Sequence, residues 1–94
     1  MSKIHCLKAW PEPFADVVAG RKPFEYRLND RGFQVGDCLV LQEYNPERDS
    51  LTGECHAVRV TYILPGGKYG LPDKYCVMAI EPWGPSQEKR EGEP

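Results

Sequence analysis

No stretch of the sequence approaches the roughly 18–20 apolar residues that a membrane-spanning helix needs, and residues 1–8 lack the unbroken apolar centre of a secretory signal. Export and a membrane partner are therefore not expected, and the chain reads as cytoplasmic. Paired cysteines are also missing: Cys6, Cys38, Cys55 and Cys76 stand far apart, each in an apolar stretch, with no C-x-x-C among them. Zinc ligands usually come as close pairs that one turn aims at an ion, whereas a site here would have to gather distant cysteines with His5 or His56. The four read as reduced, mostly buried thiols, and no metal or other cofactor is implied. An excess of positive charge is missing too, the net charge being −2. A reader of duplex DNA is normally far more basic, because its affinity comes largely from neutralising phosphates. What positive charge exists is uneven: residues 1–31 carry six Lys or Arg against four Asp or Glu, and the remainder carries six against ten. An anionic ligand, if there is one, is expected to be small, single-stranded or met locally. No internal repeat is visible.

The chain does hold enough apolar material for one core. It has 94 residues, 40% of them hydrophobic, and ten aromatics, which suits a single small folded domain. "KIHCLKAW" alternates as a strand, with Ile4, Cys6 and the stem of Lys8 on one side and His5, Leu7 and Ala9 on the other. "PEPFADVVAG" reads as a short helix: prolines are tolerated in the first turn, Phe14, Val17 and Val18 share a face, and Gly20 supplies the stop. "PFEYRLN" is a strand apolar on one face, with Phe24, Tyr26 and Leu28 opposite Glu25, Arg27 and Asn29. A turn at Gly36-Asp37 leads into a strand through Leu39 and Leu41. A polar hairpin loop follows, with Thr52-Gly53 as its turn signal, and then the alternating strand "CHAVRVTYIL". "PGGKYGLPD" is too rich in Gly and Pro for a regular element and is expected to be a mobile loop, and "KYCVMAIE" is the last strand. The order β-α-β-β-β-β predicts an α+β fold, a small mixed β-barrel of about five strands with one or two short helices. The folded domain is expected over residues 1–81, with 82–94, rich in Pro, Gly and charge, as a disordered tail.

The chemistry gathers in "GRKPFEYRLNDR", residues 20–31. Glu25 and Arg27 point to one face of the second strand, and Lys22 stands at its entrance. Spacing alone gives a Glu–Arg pair on a wet strand face, worth about 0–1 kcal/mol. Asn29, Asp30 and Arg31 prolong the polar stretch into a loop, where short polar side chains hold turns or meet ligands. His5 and Lys8 lie on the first strand, which the crossover can bring near the second. Tyr44 and Tyr69 are candidates for stacking on a base, or ordinary rim aromatics.

"GRKPFEYR" resembles the G-x-K-x-x-E-x-R signature of the ASCH domains, members of the PUA-like β-barrel superfamily. Joined to "NDRGFQVGDCLVLQEY", it is similar to a group of small bacterial and phage proteins within that superfamily, over residues 4 to about 81. The resemblance implies a PUA-like barrel with a cleft beside the helix, lined by Lys22, Glu25 and Arg27, that binds single-stranded RNA or a nucleotide. In that cleft Lys22 would meet a phosphate, Arg27 a phosphate or base edge, and Glu25 an exocyclic amine or the two cations. Some ASCH relatives are amidohydrolases that deacetylate acetylcytidine with a Lys near a Thr nucleophile. Here Glu25 stands at the matching position, and Pro23 and Phe24 offer no hydroxyl either. Binding is therefore expected ahead of catalysis, and a protein-interaction module is a third reading.

Overall fold

The alternation of "IHCLKA" turns His5, Leu7 and Ala9 inward and leaves Ile4, Cys6 and Lys8 outside, making strand β1 (Ile4–Ala9). In the computed structural model, which describes residues 2–84, helix α1 (Pro11–Val18) follows directly, with Trp10 at its N-cap and prolines in its first turn. Phe14 and Val17 bury one face of this helix, whereas Val18 is half exposed. The helix ends as Ala19 donates to the Ala15 carbonyl and Gly20 takes a φ of 85°. Strands β2 (Phe24–Leu28), β3 (Cys38–Asn45), β4 (Ser50–Pro65) and β5 (Tyr75–Pro82) complete the expected order.

The five strands form one sheet in the order β1-β3-β4-β5-β2. Only the β1–β3 pair is parallel. The helix therefore connects the two opposite edges of the sheet, β1 and β2. The sheet curls into a half-barrel around Leu7, Leu39, Leu41, Val58, Val60 and Met78, and α1 adds Phe14 and Val17 to that core. Curling brings the edges within side-chain reach. Arg27 Nη2 donates to the Lys8 carbonyl at 2.8 Å and Arg31 Nη1 to the Cys6 carbonyl at 3.0 Å. Two arginine side chains thus span the seam, and they occupy carbonyls on an edge that would otherwise be open to another strand.

Several local expectations are corrected. The apolar side of β2 is the outer one: Glu25 is 4% exposed and Arg27 partly buried, while Phe24, Tyr26 and Leu28 are 42–47% exposed. Alternation sets the period of a strand but not which face looks inward, and here the inward side chains are the ones that pair with each other and with β1. The β3–β4 turn lies at residues 46–49, because the Asn45 side chain accepts from the Glu47 and Arg48 amides and Asp49 adopts φ 54°. Thr52 and Gly53 fall inside β4, with the Thr52 hydroxyl donating to Glu43 Oε1 at 2.8 Å. A register shift between Val60 and Tyr62 turns Tyr62 outward and Ile63 toward the core. Strand β5 runs one residue past the expected boundary at 81, and the Trp83 amide donates to the Ala57 carbonyl at 3.0 Å. Of the expected tail, residues 85–94 lie outside the described residues.

All four cysteines are free, but only Cys38 and Cys76 are buried, and burial pushes both thiols up; Cys6 and Cys55 are exposed. Among the described residues no three His, Cys, Asp or Glu side chains gather as a metal site, and no helix is long and apolar enough to cross a membrane.

The Gly-rich loop at 66–74 has no helix or strand, yet it bonds to itself: Gly67 donates to the Leu71 carbonyl and Leu71 to that of Lys68, both at 2.9 Å. Gly66 is where the two ends of the loop meet, since a Cβ there would stand 2.1 Å from the Pro72 carbonyl oxygen and 2.5 Å from that of Tyr75. Those are backbone atoms and cannot swing aside. Gly66→Ala is expected to cost about 1–3 kcal/mol, read as a lower urea midpoint with an unchanged slope. An unchanged midpoint would show that the loop yields freely.

Candidate functional site

The end of α1 aims Lys22. The Arg21 and Lys22 amides both donate to the Asp16 carbonyl, at 2.9 and 3.1 Å, which wraps the chain back past the helix end. Lys22 Nζ then reaches Glu25 Oε2 at 3.0 Å and the Phe24 carbonyl at 2.9 Å. From two residues further along β2, Arg27 Nε donates to Glu25 Oε1 at 2.9 Å. Each carboxylate oxygen of Glu25 is therefore held by a different cation. Glu25 itself is buried, while the side chains of Lys22 and Arg27 are 23% and 25% exposed. This is not the wet surface pair that spacing alone suggests.

The triad lines one wall of a groove of ≈ 470 Å³ across the seam, opposite Lys8, Trp10 and Pro13. Three cations and one carboxylate leave the groove with a net charge of +2. Of the ammonium's three donors Lys22 uses two within the protein, and Arg27 uses two of five, so both keep donors for a ligand. Trp10, 59% exposed, adds a broad aromatic wall. Sequence reasoning missed it; the available signal was an aromatic immediately before a proline-led helix, at an N-cap whose side chain has no capping duty. On the far side of Lys22 a smaller cavity of ≈ 240 Å³ lies between the end of α1 and β4–β5, lined by Val17, Pro23, His56, Val58 and Ile80 among others.

The other candidate residues divide. Lys8 lines the groove and sets its ammonium 4.8 Å from the Tyr44 ring centre, so Tyr44 adjoins the groove through Lys8 without lining it. The Tyr44 hydroxyl donates to Asp49, whose carboxylate pushes that hydroxyl up. Arg31 acts at the seam, and Asn29 caps the following turn by accepting from the Phe33 amide at 3.1 Å. Asp30 is exposed, 4.0 Å from Arg31, and with Asn29 lines a different hollow beside Lys74. Tyr69 is 84% exposed in the 66–74 loop and is not brought to the groove. Nor is His5, because it is an inward residue of β1: its Nε2 lies 2.8 Å from Asp37 Oδ2, and its ring meets Phe33 edge-on at 4.8 Å. Asp37 is fully buried and also accepts from the Lys3 and Gln34 amides, both at 3.0 Å. Burial pushes its carboxyl up, but those three hydrogen bonds and the attraction to His5 outweigh it and hold the group below its ordinary value.

The fold and groove define a class: a small domain built on one curled, mostly antiparallel sheet, with a buried carboxylate that fixes two cations at the seam. Residues 4–80 match the family described as "Domain of unknown function (DUF3850)", and the chain belongs to that family. It is also similar to the "Uncharacterized 12.9 kDa protein in GpA 3'region" of Escherichia phage P2, at 41% identity over 44 residues. That stretch is 47% of this chain and 40% of the phage protein, so the match covers less than half of either.

Proposed function

We propose that this DUF3850 chain is an ASCH-related, PUA-like binding module whose groove takes single-stranded RNA or a nucleotide. The observation that carries the reading is the buried Glu25 carboxylate, which holds Lys22 and Arg27 side by side, with donors unused, in a groove that the exposed Trp10 also lines. Lys22 suits a phosphate as a point charge, and the Arg27 guanidinium suits a phosphate or the edge of a base. Trp10 takes the stacking role first sought in Tyr44 and Tyr69. Glu25, buried and held through both oxygens, orients the two cations. The segment beside Lys22 offers no hydroxyl nucleophile, which sets hydrolysis of an acylated nucleoside such as acetylcytidine behind binding.

The test is fluorescence anisotropy with a short labelled single-stranded RNA, at several salt concentrations. Saturable binding is expected, with a log–log salt slope of about −0.7 to −1.4 for one to two phosphates met. Arg27→Ala and Trp10→Ala should each weaken it about tenfold. Binding untouched by either change, and by Lys22→Ala, would place the ligand elsewhere. Release of cytidine from acetylcytidine, lost in Lys22→Ala, would make the protein an enzyme.

A further inference from the structure

On β4 the residues that share the inward face are His56, Val58 and Val60; both valines belong to the core, and His56 pairs across the ladder with the fully buried Leu41. An imidazole thus stands where the period calls for another apolar side chain. His56 is half-buried, and neither of its ring nitrogens has a hydrogen-bond partner among the described residues. It lines the cavity of ≈ 240 Å³ at the end of α1, whose apolar walls include Val17, Pro23, Val58 and Ile80. Glu81 is the carboxylate among the lining residues, and Arg59 pairs with it at 3.5 Å. The cavity and the groove have one residue in common, Lys22, whose ammonium keeps one donor unused.

We infer that this cavity is a second base subsite, so that the unit recognised is two nucleotides. One phosphate of a single-stranded RNA lies on Lys22, the base on one side of it stacks on Trp10 in the groove, and the next base enters the cavity against His56. This rests on the reading of the groove given above and adds its register. The cavity is smaller than the roughly 300–1,000 Å³ of pockets that bury a drug-sized molecule, and suits a single base. Its apolar walls disfavour a charged group inside, because little there would replace the water such a group gives up. A purely aliphatic group would leave His56 unused. A neutral imidazole offers one donor and one acceptor, and the edge of a base presents the same pair. A base also has apolar faces for the walls, and it is tied through its sugar to the phosphate that the shared lysine can hold.

Competition against the short labelled RNA tests it, with a mixture of dinucleoside monophosphates set against the matching nucleoside monophosphates. Each competitor carries one phosphate, and the dinucleoside carries the smaller charge, so any advantage it shows comes from its second base. It is expected to displace the RNA at about tenfold lower concentration. His56→Ala should remove most of that advantage and leave the nucleoside monophosphate unchanged. His56→Asn, which keeps a donor and an acceptor, should restore part of it. Val18→Trp should act like His56→Ala: Val18 lines the cavity but is 52% exposed, so the indole can fill the hollow with the core and the circular dichroism unchanged. A dinucleoside no better than the monophosphate would overturn the inference. So would an advantage indifferent to His56→Ala and Val18→Trp; where Arg27→Ala and Trp10→Ala still weaken binding, the groove then stands without the second subsite. If no RNA binds at all, the reading of the groove fails and the subsite with it.

Discussion

Replacing Asp37 with alanine is expected to cost the domain about 3–5 kcal/mol, the largest effect of any single polar substitution in this chain. The carboxylate is fully buried and accepts from the amides of Lys3 and Gln34 and from His5. Its own backbone is committed as well: its amide donates to the Gln34 carbonyl and its carbonyl accepts from Val60. One residue thus ties the entry of β1, the turn before β3 and the middle of β4. Alanine would leave two amides and an imidazole without partners, and each such buried group costs about 1–3 kcal/mol. Asp37→Asn keeps the shape but only one accepting oxygen, so a smaller loss is expected.

The pH dependence follows from the same geometry. In the folded protein the Asp37 carboxyl titrates below its ordinary 3.8. A group depressed on folding contributes stability that is complete above its unfolded value, about pH 4, and is lost as the pH falls through the folded value. Urea midpoints measured from neutral pH downward should therefore fall below about pH 4, and the fall should be shallower in Asp37→Asn. Parallel acid limbs in the two proteins would show that Asp37 does not drive acid unfolding.

Glu25→Ala is expected to destabilise by about 3 kcal/mol, because it leaves Lys22 and Arg27 facing each other, three-quarters buried, with no counter-charge. The informative comparison is the triple variant Lys22→Met, Glu25→Leu, Arg27→Met. Apolar residues of similar size replace a buried ionic cluster at little or no net cost, so most of the loss should be recovered, while RNA binding disappears with the cations. Chemical denaturation and anisotropy on the same samples separate the two effects. If the triple variant is no more stable than Glu25→Ala, the cluster holds the seam together and is not retained for a ligand. Retained binding in the triple variant would remove the groove as the site.

Local chemistry carried much of this in plain view. The alternation of β1, the Pro-led helix stopped at Gly20, the four later strands and the spacing of Lys22, Glu25 and Arg27 were all legible, because each depends on neighbours within a few residues. The hairpin was misplaced because Thr52-Gly53 is a strong two-residue turn signal, while the competing cap, Asn45 holding two amides, is visible only as hydrogen bonds. The Gly36-Asp37 turn was legible as a turn, but not as the site of a buried carboxylate 32 residues from its histidine. Trp10 joined the groove only when the curl of the sheet set the end of β1 across from β2.

By itself, then, the sequence determined the order of elements, the period of each strand and which charges stand side by side on β2. The tertiary structure decided the sign of that strand, whether "FEYRL" shows its charges to water or its aromatics. Period is a property of the backbone, the same for either face, whereas the inward face is chosen by what lies across the barrel. Here that is the Lys8 carbonyl for Arg27, with Phe24, Tyr26 and Leu28 left outside as a consequence.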